Sequence, residues 1–293
     1  MRVATWNVNS VAARVPRLLP WLEERQPDVV CLQETKLDDA GFDALLGADL
    51  RAQGYAWAHH GQGRWNGVAL LSRVGLTDVQ KAFPATPGYP DPADPVEARA
   101  VSAVCDGVRV YSLYVPNGRE VDSGHYRYKL SWLAALRAAV IAAGASSSLV
   151  CGDINIAPSD DDVFDPAAYA GHTHVTDAER AALAAVLDAG LTDVIRRRWP
   201  DERVFSYWDY RAGMFHKDLG MRIDVILAGA DLLPRVAAAF VDRRARKGSK
   251  PSDHAPVIVD LDVAPDGDIG PMVPPPSNPV QRAGAAELPQ GRR

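Results

Sequence analysis

Ser148-Leu149-Val150-Cys151-Gly152-Asp153-Ile154-Asn155 is the stretch whose reading decides the fold. Leu149, Val150 and Cys151 are a short apolar run, which predicts a strand buried on both faces. Gly152 ends the run. Asp153 and Asn155 follow two apart, where alternation along a strand places both on one side. A buried strand that delivers an acid and an amide to its edge is a rigid mount for catalytic groups. The ordinary reading of the same residues is an Asp/Asn turn closing a strand. What weighs against leaving it there is that other strands end the same way.

Outward from this stretch the pattern repeats. Arg2-Val3-Ala4-Thr5-Trp6-Asn7-Val8-Asn9-Ser10 opens the chain as a strand with Asn7 and Asn9 at its end. Asp28-Val29-Val30-Cys31-Leu32-Gln33-Glu34-Thr35-Lys36 is a second buried run, ending on Glu34. Met221-Arg222-Ile223-Asp224-Val225-Ile226-Leu227 is a third, with Asp224 among apolar neighbours. Further strands are predicted over 55–60 and 67–72, and over 100–104 and 108–115 as a hairpin about Asp106-Gly107. The hairpin runs into Tyr114-Val115-Pro116-Asn117-Gly118-Arg119. There a hydroxyl, an amide and a guanidinium suit a phosphate, although Pro-Asn-Gly is also an ordinary turn. Helices are expected over 11–25, weakened by Pro16 and Pro20, and over 125–143, stopping at Gly144. Another starts at the capping box Thr176-Asp177-Ala178-Glu179. Arg127 and Lys129, at the start of the second helix, read as solvated surface.

Composition bounds the answer. The 293 residues are 47% hydrophobic and 24% charged, ordinary for a globular protein with a large core. No charged-then-apolar leader opens the chain and no run approaches the ~18 apolar residues of a membrane span, so a soluble cytoplasmic protein is expected. The three cysteines, Cys31, Cys105 and Cys151, lie in apolar runs without metal spacing and read as core residues. A net charge of −5 disfavours coating nucleic acid by bulk charge, while leaving room for local basic patches.

The second half supplies such patches. Val204-Phe205-Ser206-Tyr207-Trp208-Asp209-Tyr210-Arg211 reads as an aromatic-rich strand. The loop after it holds Met214, Phe215, His216 and Lys217, and apolar side chains flanked by bases suit wedging into a duplex. Arg243, Arg244, Arg246, Lys247 and Lys250 are the densest basic segment. Asp160, Asp161 and Asp162 read as a solvated loop. Arg196-Arg197-Arg198 reads as solvated surface. His172-Thr173-His174 offers two imidazoles from one strand face, but no Cys or third His stands at zinc spacing. Ser252-Asp253-His254 precedes a last strand, 257–263. Beyond Ala264 the chain turns Pro- and Gly-rich, which predicts a catalytic domain over 1–263 and a disordered tail over 264–293.

Glu34, Asp153, Asp224 and Asp253, with Asn7, Asn9, Asn117, Asn155, Tyr114 and His254, make an oxygen-rich set suited to a hard cation such as Mg²⁺. A cation, a His and an unpaired carboxylate together suit hydrolysis of a phosphate ester. Trp6-Asn7-Val8-Asn9-Ser10, Leu32-Gln33-Glu34-Thr35, Tyr114-Val115-Pro116-Asn117-Gly118, Gly152-Asp153-Ile154-Asn155, Arg222-Ile223-Asp224 and Ser252-Asp253-His254 occur in the order of the exonuclease III family of AP endonucleases, within the endonuclease/exonuclease/phosphatase superfamily. The chain resembles that family over about residues 1–263. Tyr126-Arg127-Tyr128-Lys129-Leu130 and Trp208-Asp209-Tyr210-Arg211 resemble its DNA-repair branch.

The resemblance implies a four-layer α/β sandwich, two mostly antiparallel sheets packed face to face with helices outside. It implies a Mg²⁺ site, with Mn²⁺ as substitute, on Glu34 with Asn9 and Asp253 near. Asp153 would activate water, helped by Asn7 and Asn155. His254, oriented by Asp224, would bind the scissile phosphate, and Tyr114 and Asn117 would contact its oxygens. Arg119, Tyr207, Trp208, Met214 and Phe215 would meet the substrate. The implied activity is cleavage of double-stranded DNA 5′ to abasic sites and at damaged 3′ ends, by a monomer. The alternative is a phosphatase or phosphodiesterase of the same superfamily acting on a lipid or small molecule. Bacterial relatives place Trp directly after Phe-Ser; this chain has Tyr207 and then Trp208.

Overall fold

The computed structural model describes residues 1–274. Two six-stranded sheets carry the fold. In the first the strands are β1 (Arg2–Asn7), β2 (Val29–Gln33), β3 (Ala56–His60), β4 (Val68–Ser72), β11 (Val236–Val241) and β12 (Val257–Leu261), in the order β11-β12-β1-β2-β4-β3. In the second they are β5 (Thr77–Lys81), β6 (Ala100–Cys105), β7 (Val108–Tyr114), β8 (Ser148–Asp153), β9 (Leu191–Asp193) and β10 (Asp224–Gly229), in the order β5-β6-β7-β8-β10-β9.

Each sheet has one parallel pair at its centre and is otherwise antiparallel. The pairs are β1 with β2 and β7 with β8. A parallel pair needs a crossover, and a helix supplies it in both: α1 (Val11–Arg25) and α3 (Gly124–Ala143). The remaining helices are α2 (Asp39–Ala52), α4 (Asp177–Leu187) and the short α5 (Val194–Arg198).

Alternation along the central strands sorts side chains into layers. Val29 and Cys31 of β2 meet Leu149 and Cys151 of β8 in the core between the sheets, with Cys105 also there. Val30 and Leu32 face outward under α1 and α2, with Leu18, Leu22, Phe42 and Leu46. Val150 faces the opposite way under α3, with Trp132, Leu133 and Leu136. The result is the four-layer sandwich the resemblance implies, and all three cysteines are free and buried in it. Gly152 is dictated by closeness: a Cβ there would stand 2.0 Å from the Leu113 carbonyl oxygen of β7.

Some expectations change. α1 runs unbroken through Pro16 and Pro20. Residues 204–211 are not a strand; Tyr207 makes only isolated bridges to Met221 and His254. Asp162 is not solvated but fully buried, bonded to Arg222 at 2.7 Å and to Arg196 at 2.7 Å. The tail sequence is packed at its start: Met272 pairs beside Val241, and Asp266 bonds Arg2 at 2.9 Å. The rest of the expected disordered tail, 275–293, lies outside the described residues. Among the described residues no helix is long and apolar enough to cross a membrane.

Candidate active site

The site forms where both parallel pairs end. Asn7 and Glu34 leave the first sheet together, and Tyr114 lies beside Asp153 in the second, with Asp224 across from Asp153 on the other side. Three of these ends share one device. The Asn7 side chain accepts from the Asn9 backbone N–H (3.0 Å), Asp153 from Asn155 (2.9 Å) and Asn117 from Arg119 (3.1 Å). The donating residues, Asn9, Asn155 and Arg119, have φ of 43°, 51° and 54°, a region that the two Asn tolerate better than most residues. So the turn and the catalytic mount are the same structure.

Asn7 ties the two sheets at the chemistry. Its Nδ2 donates to Glu34 Oε1 at 2.8 Å and to Asp153 Oδ2 at 2.9 Å. On the far side of Glu34, the Lys36 ammonium bonds Glu34 Oε2 at 2.9 Å and Asn9 Oδ1 at 2.6 Å, while Asn9 Nδ2 donates to Asp253 Oδ1 at 3.1 Å. Burial alone would lift the Glu34 carboxyl, but Lys36 and Asn7 hold it below the usual range. A positive charge already gripped by Glu34 and Asn9, with Asp253 adjoining, is a donor set that fits a hard divalent cation. Asp153, Asp224 and His254 also lie close together with ligand atoms near one another. Asp224, however, is fully buried and bonded to His254 Nδ1 (2.8 Å) and Ser206 Oγ (2.6 Å). A cation there would have to break a His–Asp pair, whereas the Glu34 set already holds a positive charge, the Lys36 ammonium.

His254 Nε2 stands 3.8 Å from Asp153 Oδ2. Burial opposes its charge, yet the Asp224 carboxylate outweighs that and raises the imidazole to about 10. Asp153 is pushed up to about 7, by burial first, with His254 opposing. Tyr114 is held well above its usual value by burial and by Glu34, so it stays a phenol and a donor.

The pocket has a volume of about 280 Å³, with Glu34, Tyr114, Asn117, Asp153, Asn155, Asp253 and His254 among its lining. Tyr207, Met214, Met221 and Ile223 supply an apolar wall, and the Tyr207 ring lies 4.9 Å from the His254 ring. Three expected substrate residues sit differently. Trp208 is fully buried, bonded to Asp218 at 3.1 Å and edge-on to Phe215, so it backs the wall and does not touch the pocket. Phe215 is 8% exposed, clasped by Arg243 and Arg246 at 4.3 and 4.9 Å, and is no wedge. Met214 is also buried, but lines the pocket. The basic segment is thereby part structural, since Arg243 and Arg246 are buried. Arg119 stands outside the pocket, in a neighbouring groove.

Two residues take parts that the sequence reading did not give them. His174 comes from a loop, not a strand, and its Nε2 lies 3.1 Å from Asn155 Oδ1 and 3.2 Å from Asn117 Nδ2. Burial, then Lys129, lowers it to about 3, so it is neutral. Lys129 is fully buried, not solvated: its Nζ bonds the carbonyls of Asn155 (2.6 Å) and Asn117 (3.2 Å) and Glu179 (2.5 Å). The capping box at Thr176-Glu179 was the available signal, for its Glu is Lys129's partner. On the other sheet, Asp39, His59 and Thr35 form a relay, with 2.8 Å bonds on both sides of the His59 ring, behind the residue that follows Glu34. Burial lowers His59 to about 4, leaving it neutral.

An oxygen-rich cation site, an amide-held carboxylate and a His–Asp pair in one pocket define a metal-assisted phosphoesterase. A profile of the Endonuclease/Exonuclease/phosphatase family matches residues 4–254, and the chain belongs to that family. It is 31% identical to exodeoxyribonuclease III of Haemophilus influenzae, over 88% of this chain and 98% of that protein. The structure of a 3′ phosphatase from Neisseria bound to a product DNA hairpin is similar, with a TM-score of 0.84, 37% identity, and coverage of 90% of this chain and all (100%) of that one. So is an AP endonuclease from Archaeoglobus fulgidus, with a TM-score of 0.83, 35% identity and the same coverage.

Proposed function

We propose that this chain is a Mg²⁺-dependent DNA-repair phosphodiesterase that cuts duplex DNA 5′ to abasic sites and clears nucleotides or blocking groups from 3′ ends. The observation that carries this is Asn7 bridging Glu34 and Asp153, with the His254–Asp224 pair on the far side of Asp153. The names and substrates of the relatives support DNA as the substrate. Mg²⁺, or Mn²⁺ in its place, held by Glu34 with Asn9 and Asp253 near, would neutralise charge developing on the phosphoryl oxygens.

The chain's own residues do the rest. Ionised Asp153, fixed by Asn7 and by the Asn155 backbone, orients a water and takes its proton as the water oxygen attacks phosphorus. The P–O3′ bond breaks, and the departing O3′ takes a proton from solvent to leave a 3′ hydroxyl. His254, as an imidazolium held by Asp224, and Tyr114, as a phenol, donate hydrogen bonds to phosphate oxygens. Asn117 and Asn155 complete the rim, and Tyr207, Met214, Met221 and Ile223 exclude water from the sugar side. We propose that the chain works as a monomer in the cytoplasm.

The test is a labelled duplex with one abasic-site analogue, and a second ending in a 3′ phosphate, each incubated with Mg²⁺ or EDTA and resolved on a gel. The reading expects a Mg²⁺-dependent cut 5′ of the analogue and loss of the 3′ phosphate. A folded protein that leaves both intact overturns it.

A further inference from the structure

A second concavity opens beside the catalytic pocket. It has a volume of about 490 Å³, within the range of small-ligand sites. Glu34, Tyr114 and Asn117 line both, so the two are continuous. Its outer wall is Trp65, 72% exposed, the most exposed large apolar side chain among the described residues.

Trp65 is presented from a fixed base. Asn66 Nδ2 donates to Glu97 at 3.1 Å, and the Asn66 carbonyl accepts from the Lys36 N–H at 3.0 Å. Gly67 bonds Thr35 and Ala98 through its backbone, and a Cβ on it would stand 2.1 Å from Thr35 Oγ1. The opposite wall holds His125, stacked on Tyr89 at 4.3 Å. Arg119 lines the groove and is exposed, while Arg99 and Lys36 in the same lining are paired with Glu97 and Glu34.

From this we propose that the groove seats an unpaired nucleobase of the strand whose phosphate occupies the catalytic pocket, stacked on Trp65, with Arg119 on its phosphate. This rests on the DNA reading above. The ligand follows from the chemistry: every base has a π face that an indole can cover, whatever its identity. Inside a duplex those faces are already covered by neighbours, so a rigid exposed platform is satisfied by a base out of the stack. Cationic side chains at the rim match the backbone that must follow it.

The test is binding in EDTA, by fluorescence anisotropy, of a labelled hairpin duplex that is blunt and of one with a short 3′ overhang. Wild type should bind the overhang more tightly. W65A should lose about tenfold or more on the overhang, with blunt affinity and Mg²⁺-dependent turnover of blunt ends unchanged. W65F should keep most of the preference. Equal losses on both DNAs, or none on either, overturn the site. A wild type that binds both alike also overturns it, while leaving the catalytic reading intact. A wild type that binds and cuts neither breaks the catalytic reading itself.

Discussion

The two crossover units, β1-α1-β2 and β7-α3-β8, are built alike and do different chemistry. Each is a parallel pair at the centre of a sheet, and each sends polar residues past its strand ends into the same pocket. The first delivers Glu34 and Asn9, the donors that suit a cation. The second delivers Asp153, the proposed base, and Tyr114. What differs is the support behind them. Glu34 is followed by Thr35, which meets the neutral His59 ring, whose far side meets the Asp39 carboxylate. Asp153 lies beside a buried ion pair, Lys129–Glu179, that grips the Asn117 and Asn155 carbonyls. The two strand ends are alike in geometry and differ in what stands behind them, an imidazole relay in one and a buried ion pair in the other.

A set of variants and a pH profile test that division. Asp153→Asn should reduce kcat about 10³–10⁴-fold while DNA affinity, measured by anisotropy, stays near wild type; comparable turnover would remove Asp153 from its role. Glu34→Gln should weaken cation affinity by at least about a hundredfold, read by Mn²⁺ titration under EPR, with activity partly restored at high Mg²⁺. Unchanged cation binding would move the cation away from the first unit.

Lys129→Met leaves Glu179 buried without its partner and should cost about 3–5 kcal/mol in urea unfolding. Pairing it with Glu179→Leu should recover most of that stability without restoring full activity. Full recovery of both would show that the ion pair is only structural.

The pH profile has a worked sign. Asp153 must be ionised to accept a proton, and its folded value is raised to about 7. As pH falls through that value, kcat/KM should drop tenfold per unit, with the midpoint lower still when a cation's charge favours the carboxylate. The alkaline limb belongs to His254, raised to about 10, and Asp224→Asn should move that limb to lower pH. A limb that stays put breaks the assignment. The smallest effect expected is from His59→Ala, about tenfold in cation affinity with kcat at saturating Mg²⁺ retained; a loss of kcat alone would sever the relay from the cation side.

Much of this was legible because the motif residues are local. Asn7, Glu34, Tyr114 and Asp153 follow or end apolar runs, Asp224 and His254 precede them, and a strand end is readable from a run of Val, Ile and Leu. The choice between turn and catalytic mount was not readable, because the structure makes both from one Asx turn. Lys129 and His174 were hidden for another reason. Lys129 looks like any cation on a helix until α4 brings Glu179 against it, and His174 sits in a loop without periodicity. Trp208 and Phe215 misled because aromatics beside bases look the same whether they clasp each other or wait for a ligand. Only the packing of Arg243 and Arg246 onto Phe215 decides.

The pairing of β1 with β12 has a consequence for synthesis. Arg2 lies opposite Asp260, and Ser252, just before the last strand, donates to the Asn7 carbonyl. A chain emerging from the ribosome carries Asn7, Glu34 and Asp153 long before it carries Asp253 and His254. Its second sheet has all its strands by Gly229, but the first stays open at β1 until β11 and β12 appear. A nascent chain is thus obliged to be catalytically silent until nearly all of the domain has been made, and the nuclease arms itself only as the final strand closes the sheet.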